Sequence, residues 1–228
     1  MPIPLPLGMP PSRDESRGLL DALLTRRHDT LTGALAATGR MLAPPIVPAA
    51  AVTGSPTREL VVELDASTEL PSPAGWRPIR YQVECSAEDL EDVLAITAPA
   101  PLVVYPHVSD AALADAARAL TEAGHIPGLT AGRGAEAVAD FLAVLAHTDT
   151  GYAARATGTD DVVALLAATV AALSGFDVRA ALATPDVARL RRLVPEAAAA
   201  VREILLVVEV DETDGVVRDL EALDLGVG

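Results

Sequence analysis

The sequence of 228 residues contains no lysine and no asparagine, so its 17 strongly basic side chains are all arginines. Lysine forms Schiff bases and holds phosphates in P-loops, and its absence excludes both chemistries. The absence of asparagine excludes recognition through asparagine amides. Cysteine occurs once, at Cys85, which excludes an intrachain disulfide and a cysteine-rich zinc site.

Long hydrophobic runs are also missing. The longest apolar stretch, VVALLAATVAAL, is too short to span a bilayer and has no interfacial aromatic anchors. The first residues, MPIPLPLGMPPSRDE, lack a basic segment, which argues against a secretion signal. We therefore predict a cytoplasmic protein without membrane contact.

Aromatic residues make up only 3% of the chain while apolar residues make up 50%, so we expect a core of small aliphatic side chains. Acidic residues number 32 against the 17 arginines, which gives a net charge of −15. This charge repels phosphate, and we predict that nucleic acid is not a partner.

Proline is concentrated in residues 1–13, which are predicted to form an extended polyproline-type arm. Such an arm needs no function of its own, and docking onto a partner is the alternative. Residues 14–228 are enough for one sizeable core and are predicted to form a single domain.

Short aliphatic runs recur at seven places, and most are followed by a helical segment. The runs span residues 45–50, 58–67, 79–86, 101–109, 125–132, 151–158 and 204–210. Two further helices are predicted ahead of the first run, over residues 15–28 and 31–41. Alternation of strands and helices is typical of a parallel sheet.

The fold class predicted from this alternation is α/β, with about seven parallel strands in a small or incomplete (β/α) barrel. A full barrel usually needs about 250 residues. An open doubly wound sheet is the alternative, but no GxGxxG follows the first strand, which disfavours its dinucleotide-binding version.

Three helical segments each present one apolar face. The faces are formed by Leu113, Ala116, Ala117 and Leu120; by Val138, Phe141, Leu142 and Leu145; and by Leu166, Thr169, Val170 and Leu173. Gly124 and Gly175 stand where helices should end. Pro195 is predicted to divide the segment RRLVPEAAAA into two helices.

Side chains alternate along a strand, so sequence parity predicts which of them face the interior of a barrel. Leu60, Val62, Leu64, Val83 and Cys85 are predicted to pack against helices. The predicted interior residues are Glu63, Asp65, Arg80, Gln82, Glu84, Tyr105, His107, Arg155, Thr157, Glu209 and Asp211.

Two interpretations of this polar interior stay open. In the first, Arg80 and Arg155 form buried ion pairs with Glu63, Glu84 and Glu209, because unpaired buried charges cost several kcal/mol each. In the second, the residues near strand carboxyl ends form an active site, since barrel catalysis occurs there.

The loops at the same end carry further acids, at Glu88, Asp89, Asp110, Asp160, Asp161, Glu212 and Asp214. This rim disfavours a phosphorylated substrate, because carboxylates already occupy the helix amino termini. Glu84 and Asp211 have the hard oxygens that divalent cations prefer. No spaced motif accompanies them, and we predict no metal and no other cofactor.

His107 is the histidine best placed for acid–base chemistry. A single histidine beside Tyr105 and acidic neighbours is more often a hydrogen-bonded packing residue than a base, and we predict a structural role for it. Cys85 is predicted to be buried and inert. No serine lies in a G-x-S-x-G turn, so a hydrolase nucleophile is not indicated.

Several stretches together resemble a family of poorly characterised bacterial barrel-like proteins. MLAPPIVPAAAV is similar to the family's first strand and turn, and YQVECS to a strand whose acid corresponds to Glu84. AARATG is similar to a Lys-Ala-Thr-Ala-Gly strand, with Arg155 at the lysine position and Thr157 retained. DVVALLAATVAAL and LVVEVDETDGVVRDLEALDLG resemble a helix and the closing segment. The similarity covers most of residues 35–226.

The chain departs from this family at polar positions. Thr159, Asp160 and Asp161 stand where the family has a histidine pair, VVEVDE replaces a Gly-Ser-Cys-Ser-like strand, and Tyr105 replaces an acid. The resemblance therefore implies a diverged, non-catalytic member.

The leading functional hypothesis is a non-catalytic or vestigial barrel that acts as an accessory subunit, for example in a biosynthetic pathway. Its negative charge suits a basic protein or peptide partner. The edges of an incomplete barrel favour a homodimer.

The alternative hypothesis is an enzyme at the carboxyl mouth of the barrel. In it His107 acts with Glu84, Asp65 or Asp211 in acid–base chemistry, and Arg155 binds an anion. Arg80, Tyr105, Thr157, Glu63 and Glu209 are the predicted binding residues around that group.

Overall fold

The computed structural model describes residues 18–54, 56–65 and 78–225, and within them eight parallel strands form one sheet. The strands are β1 (Leu24–Thr25), β2 (Ile46–Pro48), β3 (Val61–Leu64), β4 (Arg80–Ser86), β5 (Leu102–His107), β6 (Ile126–Leu129), β7 (Tyr152–Ala156) and β8 (Leu205–Val210). Their order is β1-β8-β7-β6-β5-β4-β3-β2. The predicted arm, residues 1–13, lies outside the described residues.

The two end strands of this order, β1 and β2, lie beside each other. Parallel bridges join Leu24 to Leu42 and Arg27 to Ile46. The amide of Ile46 donates to the carbonyl of Arg26 at 3.0 Å, and the amide of His28 donates to the carbonyl of Ile46 at 2.8 Å. The sheet is thus nearly closed into a barrel. This confirms the predicted (β/α) barrel and contradicts the alternative, an open doubly wound sheet.

The strand β1 was not predicted, because residues 15–28 were expected to form a helix. Within the described part of that segment, Leu23 and Leu24 are fully buried, and the amide of Val208 in β8 donates to the carbonyl of Leu23 at 2.8 Å. Hydrogen bonding to β8 on one side and to residues 41–46 on the other satisfies this backbone. Tertiary pairing thus overrides a local pattern that suits a helix.

Helices cover the outer side of the barrel. In the described ranges these are α1 (Leu31–Ala36), α2 (Leu90–Leu94), α3 (Leu113–Glu122), α4 (Ala135–Leu145), α5 (Thr159–Ser174), α6 (Val178–Ala183), α7 (Val187–Arg191), α8 (Pro195–Ile204) and α9 (Thr213–Ala222), with 3₁₀ turns at Ala49–Ala51 and Asp110–Ala112. The first helix is shorter than the predicted 31–41, because the chain after Ala36 extends to pair with β1.

The predicted helix boundaries and faces are largely confirmed. Pro195 is the first residue of α8, and Gly124 and Gly175 adopt positive φ after α3 and α5. The predicted faces of α3 and α4 are buried. On α5 the prediction fails only at Leu173, which is 42% exposed.

The predicted alternation of the strands is confirmed on the outer face of the barrel. Val62, Leu64, Val83 and Cys85 share a buried cluster with Val93 of α2, and Leu60 packs with Ala34 of α1.

The inner face changes character along the barrel axis. Ala43, Val103, Tyr105, Ala153 and Val207 form an apolar cluster, whereas charged side chains follow toward the strand carboxyl ends. The barrel interior therefore has an apolar cluster in its lower part and, apart from Arg80 at the start of β4, its charged side chains in its upper part.

Gly128 of β6 makes room for the largest side chain of this interior. A Cβ atom at Gly128 would lie 2.3 Å from the ring of Tyr105. Only glycine therefore permits the Tyr105 ring to lie across the barrel at this level.

Candidate functional site

An open cavity of about 610 Å³ lies at the carboxyl ends of the strands, and we call it the mouth cavity. It is lined by Arg27, Pro48, Ala49, Ala50, Glu63, Leu64, Asp65, Glu84, Arg155, Glu209 and Asp211. Six of these residues, Glu63, Asp65, Glu84, Arg155, Glu209 and Asp211, were predicted from strand parity. Parallel strands deliver them to one end of the barrel, where the sites of such barrels are found.

Arg155 of β7 lies at the centre of the charged groups. Its Nε is 3.0 Å from Oε2 of Glu209, one terminal nitrogen bonds Oε1 of Glu84, and the other is 4.0 Å from Oε1 of Glu63. Arg155 and Glu209 are paired across adjacent strands, which brings them together directly. We call Arg155, Glu63, Glu84 and Glu209 the Arg155 cluster.

The carbon at the centre of the Arg155 guanidinium also lies 4.2 Å from the centroid of the Tyr105 ring. This is a cation–π contact with a buried ring. Tyr105 is 1% exposed, and burial together with the nearby charge of Glu209 raises the pKa of its hydroxyl. Tyr105 therefore stays neutral and supports Arg155 from below.

The electrostatics of the Arg155 cluster keep its charges in place. Burial lowers the pKa of Arg155, but the carboxylates of Glu209 and Glu84 outweigh it and hold that pKa above its usual range. Burial raises the pKa of Glu84, but hydrogen bonds with Arg155 and His107 outweigh it, so the net change is downward. Both partners are therefore ionised near neutral pH.

His107 stands at the end of β5, beside the end of β4. Its Nε2 is 2.8 Å from Oε2 of Glu84, and its side chain is 53% exposed. The two oxygens of Glu84 are thus divided between Arg155 and His107. His107 is not among the residues that line the mouth cavity.

Glu63 joins the Arg155 cluster to two further residues. Nε of Arg27 donates to Oε2 of Glu63 at 2.5 Å, and this hydrogen bond raises the pKa of Arg27. The side-chain amide of Gln82 lies 3.4 Å from Glu63 and 3.5 Å from Glu209. Arg27 was missed in the sequence because it follows the unpredicted strand β1.

Asp65 and Asp211 lie at the edge of the mouth cavity, directly after β3 and β8. Both side chains belong to exposed residues. Both therefore lie outside the Arg155 cluster, and Asp211 adds negative charge to the cavity entrance.

Arg80 does not have the carboxylate partners that the ion-pair interpretation gave it. Its Nε is buried without a hydrogen-bond partner, and no ion pair joins it to any residue in the described ranges. Burial lowers the pKa of its guanidinium, although Tyr105 and Glu209 are near enough to oppose this. Arg80 lacks these partners because it is the first residue of β4 and lies lower along the barrel axis than Glu63 and Glu84.

Thr157 also departs from its predicted place. Its amide and its hydroxyl both donate to Oδ2 of Asp161, at 2.8 Å and 2.6 Å. The residue is exposed and does not line the mouth cavity. A local side-chain contact at the start of α5 has replaced the predicted contact with the barrel interior.

Cys85 lies on the outer face of β4, as its parity predicted. Burial, helped by Asp89, raises the pKa of its thiol to about 11. It is therefore a protonated packing residue and a poor nucleophile at neutral pH.

No protein-family model, curated protein or solved structure matches the chain.

Within the described ranges, no helix is long and apolar enough to cross a bilayer. In the same residues, no group of histidine, cysteine, aspartate and glutamate side chains is arranged to hold a metal ion.

The mouth cavity has the size of a ligand site, since such sites usually measure about 300–1,000 Å³. Its lining includes the carboxylates of Glu63, Asp65, Glu84, Glu209 and Asp211, against the guanidinium groups of Arg27 and Arg155. Both guanidinium groups already bond carboxylates. The excess negative charge favours a cationic ligand over an anionic one.

Proposed function

We propose that the protein is a non-catalytic barrel that acts as an accessory subunit, and that its mouth cavity binds a basic group of a protein or peptide partner. The observation that carries this proposal is the charge of the cavity lining, in which carboxylates outnumber arginines and the arginines are already paired. A lysine, arginine or amino-terminal group would supply the missing positive charge.

The absence of a catalytic role is supported by the way the polar groups bond one another. Glu84 gives one oxygen to Arg155 and the other to His107. Tyr105 is buried beneath Arg155. Groups that hold one another in this way are typical of a structural ion-pair network, which also perturbs pKa values.

The remaining parts of the proposal rest on the sequence. They are membership, as a diverged member, of the barrel-like family that the chain resembles, a place in a biosynthetic pathway, a cytoplasmic location and a homodimeric state. The acidic composition supports a basic partner over nucleic acid, because a net charge of −15 repels phosphate.

The proposal is tested with a fluorescein-labelled peptide of three arginines, whose anisotropy is followed as protein is added. We expect saturable binding that weakens with salt, because the contact is between charges. Asp211→Asn should weaken it several-fold, since this carboxylate lines the cavity entrance. Asp140→Asn, on the exposed side of α4, is the matched control. Equal binding by the unaltered protein and both variants would show that the peptide does not bind at the mouth cavity.

A second candidate function is acid–base catalysis at the same mouth, and the contact of 2.8 Å between His107 and Glu84 favours it. A carboxylate that orients an imidazole is a common catalytic arrangement. The test is complementation of a strain lacking the gene with His107→Ala and Arg155→Ala variants, each checked for solubility. If a normally folded His107→Ala variant fails to complement the strain, the protein is an enzyme and the non-catalytic accessory role is wrong.

A further inference from the structure

Residues 173–194, on the outer side of the barrel, form a surface that is both apolar and basic. Among the described residues, the large apolar side chains that remain exposed all belong to this stretch: Leu173 is 42% exposed, Phe176 57% and Val194 58%. The stretch also contains four arginines and two aspartates, a net charge of +2 in a chain whose net charge is −15. Exposed apolar side chains grouped with arginines are typical of a surface that binds another protein.

A groove of about 350 Å³ lies on this surface, lined by residues of α5, α6, α7 and their connections, and we call it the α6–α7 groove. Val170 and Ala171 of α5 and Leu190 of α7 form its floor, and all three are buried. The exposed ring of Phe176 lines the groove as well. The groove and the mouth cavity have no lining residue in common, so they are separate sites.

The helix α6 contributes a wall of small side chains to the groove. Its sequence is VRAALA, yet none of its residues is buried in the described structure. Val178 and Leu182 pack partly against the core, whereas Ala180, Ala181 and Ala183 line the groove. Alanine side chains this small allow a helix of another protein to approach closely, and the apolar wall gains from being covered.

Arg189 is the charged group of the groove whose charge is not used inside the protein. The carboxylates of Asp177 and Asp186, which also line the groove, accept backbone hydrogen bonds at the starts of α6 and α7. The guanidinium of Arg189 has no ion pair among the described residues, and its central carbon lies 4.2 Å from the centroid of the Phe176 ring. A guanidinium held against a ring keeps its N–H groups free to bind a carboxylate.

Charge decides which partner suits this surface. Arg192 is exposed and likewise has no ion pair among the described residues, so two guanidinium groups are free to bind carboxylates beside an apolar floor. A second copy that presented the same face would bring two basic surfaces together, which disfavours a two-fold symmetric dimer here. Nucleic acid binding depends on many phosphate contacts, and an apolar groove in an acidic chain does not offer them.

We propose that the α6–α7 groove binds an acidic amphipathic helix of a partner protein. Apolar side chains of that helix pack on Phe176 and the groove floor, and its carboxylates pair with Arg189 and Arg192, as in other complexes where a helix lies in a groove. The proposal does not rest on the function proposed for the mouth cavity, which favours a ligand of the opposite charge.

The two phenylalanines of the chain provide a reporter and an internal control for this site. Phe176 lines the groove, whereas Phe141 is fully buried in the core. The full chain is labelled with fluorophenylalanine and titrated with a synthetic helical peptide that has leucines at i, i+3, i+4 and i+7 and glutamates on both flanks. We expect saturable binding that shifts the ¹⁹F signal of Phe176 and leaves that of Phe141 in place. A peptide of the same composition in scrambled order should shift neither, and a Phe176 signal unmoved by excess ordered peptide would overturn the proposal.

Variants identify the residues responsible, with the peptide's affinity measured by fluorescence anisotropy. Phe176→Ala should weaken binding roughly tenfold through loss of the aromatic contact, and Arg189→Gln should weaken it roughly 3-fold through loss of an exposed ion pair. Arg118→Gln, which alters an exposed ion pair on α3, should bind like the unaltered chain. Because Phe176 is more than half exposed, its variant should fold. Unchanged affinity in both Phe176→Ala and Arg189→Gln would place the peptide elsewhere and overturn the proposal.

The charge contact is isolated by changing the peptide as well. Replacing its glutamates with glutamines should weaken binding to the unaltered chain more than binding to Arg189→Gln, because that variant has already lost the contact. Equal weakening in the two proteins would show that Arg189 does not contact the carboxylates.

Sedimentation equilibrium distinguishes a partner protein from a second copy of this chain. Without peptide, the unaltered chain and Phe176→Ala should have the same oligomeric state. An oligomer of the unaltered chain that dissociates in Phe176→Ala would show that a second copy covers the groove, and the proposed partner helix would then be wrong.

Discussion

Arg155 and Arg80 enter the same barrel from β7 and β4, yet only Arg155 meets carboxylates. Arg155 bonds Glu84 and Glu209 and lies over the Tyr105 ring, whereas Arg80 has no ion pair within the described ranges. A buried charge costs several kcal/mol unless it is paired. The same residue type therefore has its charge compensated in the upper interior, whereas at the start of β4 it has no carboxylate partner among the described residues.

The largest expected effect comes from removing the paired arginine. Arg155→Met should lower the free energy of unfolding by about 3 kcal/mol, because three carboxylates lose their shared cation. Chemical denaturation at pH 7 measures this, with Arg118→Met as a control expected to cost less than about 1 kcal/mol. Equal losses in the two variants would mean that the Arg155 cluster is no more than a set of surface ion pairs.

Gly128 makes room for the Tyr105 ring, and its substitution should have the next largest effect on stability. Gly128→Ala places a Cβ atom 2.3 Å from the Tyr105 ring, and the displaced ring should cost about 2 kcal/mol in the free energy of unfolding.

The control for Gly128 is Gly215→Ala in α9, where the new Cβ meets nothing within 4 Å. It should instead stabilise by about 0.5 kcal/mol, since alanine is the better helix former. Thermal unfolding of both variants provides the comparison. A Gly128→Ala protein as stable as Gly215→Ala would contradict the described position of the ring.

Arg80 should respond in the opposite direction to Arg155. Arg80→Met should leave stability unchanged or raise it by up to about 1 kcal/mol, because it removes a charge that has no ion pair within the described residues. Denaturant titration of this variant beside Arg155→Met measures the difference in sign. A loss as large as that of Arg155→Met would show that Arg80 has a strong partner within the folded chain.

Strand parity allowed most of the upper interior to be predicted, because side chains alternate strictly along a strand. It placed Glu63, Glu84, Arg155 and Glu209 on one face without knowledge of their distances. Parity does not give the level of a residue along the barrel axis, and so it could not separate Arg80 from the carboxylates above it. Nor could it foresee that Thr157 would bond Asp161 instead.

The missing strand has a different cause. The two residues of β1 are stabilised by hydrogen bonds to distant segments, which no local pattern reveals. Because β1 was not predicted, Arg27 was not included in the predicted site. The role of Gly128 did have a signal, since a glycine within a strand often marks a close approach of another group.

His107 should have the smallest effect of this series. Its half-exposed bond to Glu84 is worth less than about 1 kcal/mol, as for other solvent-exposed ion pairs, so His107→Ala should lower the free energy of unfolding only slightly at pH 7.

The pH dependence gives this small effect a distinctive form. His107 helps to hold the pKa of Glu84 below its usual value of 4.5. A carboxylate whose pKa is lowered on folding adds stability above its unfolded pKa, and that stability is lost as pH falls through the folded pKa. Because His107→Ala removes one of the hydrogen bonds that lower the pKa, it should reduce the loss of stability between pH 7 and acid.

A double-mutant cycle with Glu84→Gln isolates this contact, measured by urea denaturation at several pH values on both sides of 4.5. In the Glu84→Gln background, His107→Ala should change neither the stability at pH 7 nor the decline of stability in acid. Glu88→Gln, an exposed carboxylate after β4, is the matched control and should leave the effect of His107→Ala intact. If His107→Ala lowers stability equally in the Glu84→Gln background, the histidine acts on the barrel through some other group, and its pairing with Glu84 contributes nothing.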